Sequence, residues 1–299
     1  MAEKKSQLNT YIFIITLCLI SGLLLATVSE LLKNRQQEAR KAYLYKQLLI
    51  SARILSYDNY FQIPDKKGNF IQAKLQDDLL VPTDTPTKAT QSEISKVFKT
   101  RVRPMLTDKD GNSFTFEQKE IDYETYLNIY ESKGYTPYPY RLYYEIKANR
   151  KKEHMEKTPP YGFTIPINGY GLWDAIFGLL TLKPNGTTVI GVSWYEEKET
   201  PGLGGEISEK WWQIQFYNKQ IFRQSPNERT NLKSASLGID IVKPGVMKTL
   251  PKIKKEHAVD GVTGATITMN GVMLAFKDSL APYRKLLINI NKKYGKTST

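Results

Sequence analysis

The sequence is poor in the residues that build disulfides and metal sites. Its 299 residues include one cysteine, Cys18, and two histidines, His154 and His257. A single cysteine excludes disulfides within the chain, and it also excludes iron–sulfur clusters and cysteine-rich zinc sites. Because the two histidines lie far apart in the sequence, we expect no metal site.

Acidic residues are outnumbered by basic ones, 30 against 43, which gives a formal net charge of +13 at pH 7. Such a balance is typical of proteins that bind nucleic acids or membrane surfaces. The sequence has no zinc-finger spacing and no clear RNA-binding motif, and its lysines are scattered. We therefore predict a solvated basic surface and no nucleic-acid partner. A glycine-rich dinucleotide fingerprint is also missing, so we do not expect this chain to bind NADH.

Only one long apolar run is present, the uncharged residues 11–28. This run is long enough to cross the hydrocarbon core of a bilayer. The alternative is a secretory signal peptide cleaved near Ala26. We predict a short N-terminal tail at 1–10 and a transmembrane anchor at 11–31. Apolar residues then recur at three- and four-residue steps, which predicts an amphipathic helix at 32–56.

The charges that flank the apolar run bear on its orientation. Lys4 and Lys5 precede it, and five basic residues follow it between positions 33 and 46. The positive-inside rule would place the C-terminal part in the cytoplasm. Since a large following domain weakens that rule, these charges alone leave the orientation open.

The rest of the chain is predicted to fold as a soluble domain of the α+β class. We divide it into an N-terminal part at 57–160 and a C-terminal part at 161–299 that contains the chemically informative motifs. Alternation and β-branched residues predict strands at 141–146, 187–194, 211–216 and 237–242. A helix is predicted at 271–287 with an interruption at Pro282. Strands and helices without regular βαβ alternation favour α+β over a doubly wound sheet.

The motif with the clearest chemistry is DGVTGATIT at 260–268, which includes Asp260, Thr263, Gly264, Ala265 and Thr266. Its glycines allow a tight bend, and backbone N–H groups at a turn before a helix favour an anion. A threonine hydroxyl could carry a phosphate as an ester. The alternative is a tight turn whose threonines only cap the next helix, because short motifs often occur by chance.

Two further blocks combine glycines with aromatic or small residues. The first is GYGLWD at 169–174. The second contains Glu199, Thr200, Leu203 and Gly204 and follows a predicted buried strand. A loop with so little side-chain bulk could lie against a planar cofactor, although each block alone is also compatible with an ordinary turn.

The three blocks, in this order behind one N-terminal apolar span, resemble the NqrC family, whose members are subunits of the Na+-translocating NADH:quinone reductases. The resemblance covers about 163–287, and residues 57–160 contribute little to it. A sister family of flavoproteins, from the ion-translocating ferredoxin:NAD oxidoreductases, shares the second and third blocks, but the GYGLWD block favours NqrC. Thr263 stands where many relatives have serine.

This resemblance implies a covalently bound FMN, esterified through its phosphate to Thr266. Asp260 would be part of what the flavin transferase recognises, within a signature that also contains Thr263, Gly264 and Ala265. Glu199, Thr200, Leu203 and Gly204 are expected to approach the isoalloxazine ring. Lys243 is expected either beside the ring as a cation that tunes the flavin, or as a solvated surface lysine.

The same resemblance implies a place in a membrane complex. The chain would relay electrons among the subunits of a reductase that couples NADH oxidation and quinone reduction to Na+ export, without being catalytic alone. It would be a single-pass protein of the bacterial inner membrane, with its soluble domain on the periplasmic side. The alternatives are the sister flavoprotein of the ferredoxin-linked complex and a membrane-anchored scaffold without a cofactor.

Overall fold

The computed structural model describes residues 2–65, 68–133, 137–151, 158–223 and 230–295, so His154 lies outside the described residues. Residues 1–44 form one compact unit and 45–299 form another. The described helices are α1 (Ala2–Ser51), α2 (Gln91–Arg101), α3 (Tyr123–Lys133), α4 (Lys210–Gln213), α5 (Lys252–Lys255), α6 (Thr266–Leu280) and α7 (Arg284–Tyr294). The described strands are β1 (Phe61–Pro64), β2 (Phe70–Gln76), β3 (Leu79–Pro82), β4 (Val102–Thr107), β5 (Ser113–Phe114), β6 (Arg141–Ile146), β7 (Gly162–Tyr170), β8 (Ala175–Leu182), β9 (Val189–Glu196), β10 (Asp240–Val242) and β11 (Ala258–Asp260).

The predicted α+β class is confirmed, and its centre is a six-stranded antiparallel sheet with the strand order β5-β4-β6-β7-β8-β9. β8 and β9 are buried along most of their length, as expected for strands rich in apolar and β-branched residues. A separate antiparallel sheet contains β1, β2 and β3. β10 and β11 form a parallel pair that places Val242 opposite Asp260.

Helix α6 packs closely against β7 because glycines at the contact leave room for the backbone. A Cβ atom added to Gly271 would lie 2.0 Å from the carbonyl oxygen of Tyr170, and one added to Gly169 would lie 2.6 Å from the Cβ of Ala275. Further along α6, the ring of Phe276 contacts Trp194 with a centroid distance of 5.6 Å. This packing fixes the N-terminus of α6 beside the end of β7.

Residues 2–51 form one continuous helix, α1. Its side chains between Tyr11 and Val28 are exposed and mostly apolar. Among the described residues, α1 is the one helix that is long and apolar enough to cross a membrane. The boundaries proposed between the tail, the anchor and the amphipathic part fall within this helix and stay predictions.

One predicted strand is wrong, because residues 211–216 form the end of α4 and a 3₁₀ turn at Ile214–Phe216. Trp212 and Phe216 are both fully buried and their rings touch, with centroids 4.9 Å apart. A four-residue spacing of buried rings is helical, whereas a strand would bury alternate residues. The apolar composition of this segment concealed its period.

The other predicted elements are present with shifted ends. The strand at 141–146 is confirmed as β6, while the strand predicted at 187–194 runs from Val189 to Glu196. Only Asp240–Val242 of the segment 237–242 is a strand. The helical segment starts at Thr266, earlier than predicted, and its interruption at Pro282 is confirmed by the 3₁₀ turn Ala281–Tyr283.

Candidate functional site

The N-terminus of α6 presents a threonine hydroxyl beside free backbone donors. Thr266 is the first residue of this 15-residue helix, and it is exposed. Gly264 has φ of +80°, which lets the chain turn into the helix. Ala265 occupies the N-cap position, and no side chain caps the helix within the described part of the chain. The first N–H groups of a helix lack intrahelical acceptors, so this end favours an anion.

The three threonines of the motif differ in what their hydroxyls do. Thr268 is 2% exposed, and its hydroxyl donates a hydrogen bond to Glu199. Thr263 and Thr266 are both exposed. Of the three, only these two therefore offer a hydroxyl that another molecule can reach without breaking a buried hydrogen bond.

The carboxylate of Glu199 joins two loops and the first turn of α6, which are distant in sequence. It accepts hydrogen bonds from the backbone N–H groups of Leu172, at 3.0 Å, and Trp173, at 2.9 Å. It also accepts the hydroxyl proton of Thr268. Burial by itself raises the pKa of the Glu199 carboxyl, but the hydrogen bonds outweigh burial and hold this pKa below its ordinary value. Glu199 is thus ionised, and its buried carboxylate holds the two loops and the first turn of α6 together at one junction.

Glycines make this junction possible. A Cβ atom on Gly171 would lie 2.4 Å from a carboxylate oxygen of Glu199, and one on Gly204 would lie 2.6 Å from the hydroxyl oxygen of Thr268. Neither position can hold a side chain unless the carboxylate or its partner moves. Glycine at 204 is therefore needed for close packing and not only for a flexible loop.

The loop after β9 turns sharply and covers the start of α6. Leu203 donates its N–H to the carbonyl of Thr200 at 3.1 Å, and Gly202 between them has φ of +77°, as the second central residue of a type II turn requires. The side chain of Leu203 reaches to 3.0 Å from the position of a Cβ on Gly264. Leu203 thus lies against the turn that precedes Thr266.

Apolar side chains are exposed around this junction. Trp173 is 69% exposed, and its indole N–H donates to the hydroxyl of Thr200 at 3.2 Å. Leu203 and Ile267, which flank the turn before α6, are 42% and 58% exposed. Exposed apolar groups gathered in one place are typical of a surface that contacts a ligand or another protein.

Asp260 has a structural partner that the sequence motif did not reveal. Its carboxylate accepts hydrogen bonds from the N–H groups of Gly245, at 3.0 Å, and Met247, at 3.2 Å. Its carbonyl oxygen accepts the indole N–H of Trp212 at 2.9 Å. Asp260 therefore fixes the turn after β10, which starts at the exposed Lys243.

The structure brings most of the predicted site residues together. Glu199, Thr200, Leu203 and Gly204 belong to the loop that meets the 264–268 turn, whereas Lys243 lies in the turn held by Asp260. Sequence reasoning missed Thr268 and the N–H groups of Leu172 and Trp173. Backbone donors carry no signature of their own in a sequence, so only the GYGLWD block hinted at them.

Comparison with known proteins supports a flavin site in this region. A protein-family model described as an FMN-binding domain matches residues 171–281. The NqrC subunit of the Na(+)-translocating NADH-quinone reductase of Chlamydia pneumoniae is 37% identical over 291 residues, which are 93% of this chain and 91% of that relative. The similarity thus extends over most of 57–160, which the motifs had left unassigned.

Two solved structures have the same fold. The crystal structure of the NqrC subunit of this reductase from Parabacteroides distasonis has a TM-score of 0.53 at 21% identity, covering 86% of this chain and 96% of that one. The crystal structure of Shewanella oneidensis NqrC has a TM-score of 0.54 at 20% identity, covering 85% of this chain and 99% of that one.

Proposed function

The chain belongs to the NqrC family of Na+-translocating NADH-quinone reductase subunits, and we propose that it holds FMN as a phosphoester on Thr266. Proteins of this family are subunits of an oxidoreductase complex, and this chain contains the family's FMN-binding domain. Its N-terminal apolar helix indicates a membrane anchor in such a complex. The named relatives favour this reductase over the ferredoxin-linked complex.

The observation that carries the proposal is the contrast between Thr266 and Thr268. Thr266 is exposed at the uncapped start of α6, while the hydroxyl of Thr268 is buried and donates to Glu199. A phosphate on Thr266 would lie at the positive end of the helix, where N–H groups and the helix dipole stabilise an anion.

The neighbouring residues fit a flat ring. Leu203 and Trp173 supply exposed apolar surface, and the type II turn at Thr200 keeps side-chain bulk low. Glu199 acts through position, because its carboxylate holds the loops that carry these residues. Lys243 supplies positive charge from the turn fixed by Asp260. Bound FMN would accept electrons and pass them on.

The wider role follows from membership of the complex. We propose that the chain relays electrons between other subunits of a reductase that couples NADH oxidation and quinone reduction to Na+ export. Its apolar span at 11–28 has no charged side chain, so we assign ion conduction to other subunits. A flavin transferase that recognises the motif around Asp260 would load the FMN on the periplasmic side of the bacterial inner membrane.

The test is the covalent link itself. The full chain, made together with a flavin transferase, should stay fluorescent in a denaturing gel, and mass spectrometry should place FMN on Thr266. Thr266→Ala should abolish the fluorescence because no hydroxyl remains there, while Thr266→Ser, which keeps one, should retain flavin.

The matched control is Thr263→Ser, which keeps a hydroxyl at the other exposed threonine of the motif and should leave loading unchanged. FMN found on Thr263 or Thr268 would overturn the assignment. A chain without covalent flavin under these conditions would favour a scaffold without this cofactor.

A further inference from the structure

The segment 243–255 is the most basic surface near the candidate flavin site. It contains five lysines and no acidic residue in thirteen positions, against 43 lysines and arginines in all 299 residues. Four of these lysines are exposed, and within the described part of the chain no hydrogen bond or ion pair uses their ammonium groups. We call these four the lysine surface: Lys243, Lys248, Lys252 and Lys254.

The backbone that carries the lysine surface is held in place from several sides. The carboxylate of Asp260 accepts the N–H groups of Gly245 and Met247. The ammonium group of Lys255 donates to the carbonyl of Lys248 at 3.0 Å, and that of Lys219 donates to the carbonyl of Lys255 at 2.6 Å. These hydrogen bonds therefore fix the backbone that carries the four exposed lysines.

A cavity of about 570 Å³ opens beside this surface. Leu250, Ile253 and Met273 give it apolar walls, and Arg223 and Lys254 add cations. The one carboxylate among the described residues of its lining, that of Asp240, already pairs with Arg223. The volume is within the range of ligand pockets and is large enough for one or two apolar side chains.

We propose that the lysine surface and this cavity together dock an acidic segment of a neighbouring subunit, which inserts an apolar side chain into the cavity. Lys243, Lys248 and Lys252 lie outside the lining, so the positive charge extends beyond what a small molecule in the cavity would touch. A wide basic surface around an apolar pocket is complementary to an acidic protein surface with an apolar anchor.

The position of the cavity places this partner close to the flavin attachment. Met273 lies on α6 seven residues after Thr266, on the same face of the helix and about 10 Å along its axis. The partner would therefore be close enough to exchange electrons with a flavin on Thr266. The inference rests on the proposed function in assigning the partner to the reductase.

The experiment uses the full chain, assembled with the other subunits of the reductase and loaded with flavin. The measured quantity is the rate at which NADH reduces the covalent flavin as ionic strength is raised with KCl at constant NaCl, because Na+ is the ion that the proposed reductase exports. For the wild-type chain the rate should fall, because salt screens attraction. The 248/252/254 variant carries Lys248→Glu, Lys252→Glu and Lys254→Glu in one chain. Reduction of its flavin should be about tenfold slower at low salt. The rate for this variant should rise with salt, because salt then screens repulsion.

Two further variants distinguish the contribution of the lysine charges from that of the cavity. The control variant carries Lys74→Glu, Lys88→Glu and Lys99→Glu in one chain, which reverses the charge of three exposed lysines outside the lysine surface. This control should behave as wild type. Met273→Trp should fill the cavity, slow reduction and leave the salt dependence unchanged. A wild-type rate and salt dependence in the 248/252/254 variant would overturn the docking surface, and a wild-type rate in Met273→Trp would overturn the inserted side chain.

Two further outcomes would distinguish a membrane-binding surface from a failure of the proposed function. If the 248/252/254 variant loses only binding to vesicles of phosphatidylglycerol and phosphatidylethanolamine, with its rate unchanged, the surface contacts the membrane and the proposal is overturned. If the chain carries no covalent flavin, the proposed function fails. The docking surface is then judged from salt-sensitive retention of the other subunits on the tagged chain, which the 248/252/254 variant should lose.

Discussion

The hydroxyl of Thr268 donates a hydrogen bond to the carboxylate of Glu199, and this contact joins the first turn of α6 to the loop after β9. The same carboxylate holds the loop after β7 through the N–H groups of Leu172 and Trp173. One buried charge thus fixes three segments around the hydroxyl of Thr266. Its removal should disturb the site even though Glu199 does not present its carboxylate to solvent.

Glu199→Gln should lower the free energy of unfolding by about 1–3 kcal/mol, the cost of leaving a buried polar group without its partner. An amide has an acceptor on one side only, so its NH₂ group would face an N–H of Leu172 or Trp173. Urea unfolding of the full chain in detergent, followed by tryptophan fluorescence, measures the loss. Glu196→Gln, at an exposed neighbouring site, is the control. Equal unfolding midpoints for the two variants would contradict the role of Glu199 in holding these segments together.

The same contact predicts a pH dependence. Burial acts to raise the pKa of Glu199 in the folded chain, but its hydrogen bonds together outweigh burial and lower this pKa. Its stabilising contribution is therefore complete above the unfolded pKa of about 4.3, and it is lost as pH falls through the lower folded pKa. The difference in free energy of unfolding between wild type and Glu199→Gln should shrink below about pH 4. A difference that stays constant down to the acid transition would argue against an ionised Glu199.

Variants of Asp260 distinguish its role in holding the turn after β10 from its proposed role in recognition by the flavin transferase. Asp260→Ala should lower the free energy of unfolding by about 1–2 kcal/mol, because the N–H groups of Gly245 and Met247 lose their acceptor. Asp260→Asn keeps an acceptor oxygen and should stay close to wild type in stability. If the transferase reads the charge, Asp260→Asn should still lose most of its flavin. Full loading of Asp260→Asn, measured by fluorescence in a denaturing gel, would make Asp260 a turn residue alone.

The orientation of the soluble domain is testable with an impermeant lysine-labelling reagent. We expect the reagent to modify the exposed Lys74, Lys88 and Lys99 in cells whose outer membrane alone has been opened, because we propose that the domain lies in the periplasm. The basic residues between 33 and 46 favour the opposite side, but a following domain of this size weakens the charge rule. Protection of these lysines until the inner membrane is broken would place the domain in the cytoplasm.

The sequence by itself determined the features that depend on local composition and spacing. An uncharged apolar run that is long enough to cross a bilayer is recognisable whatever surrounds it, and Pro282 interrupts a helix because it lacks an N–H and clashes with the preceding turn. The flavin signature is likewise contiguous, so Thr266 and its neighbours could be named before any fold was known. The α+β class followed from the order of predicted elements.

Only the tertiary structure decided what these residues contact. Residues 211–216 are helical because Trp212 and Phe216 pack into one core, and an apolar composition alone did not show that period. Thr268 is withdrawn from the surface by a carboxylate 69 residues earlier in the chain. Asp260 supports a turn whose N–H groups leave no trace in the sequence. Such roles depend on contacts between distant segments, and a local sequence pattern carries no information about which distant group will be adjacent.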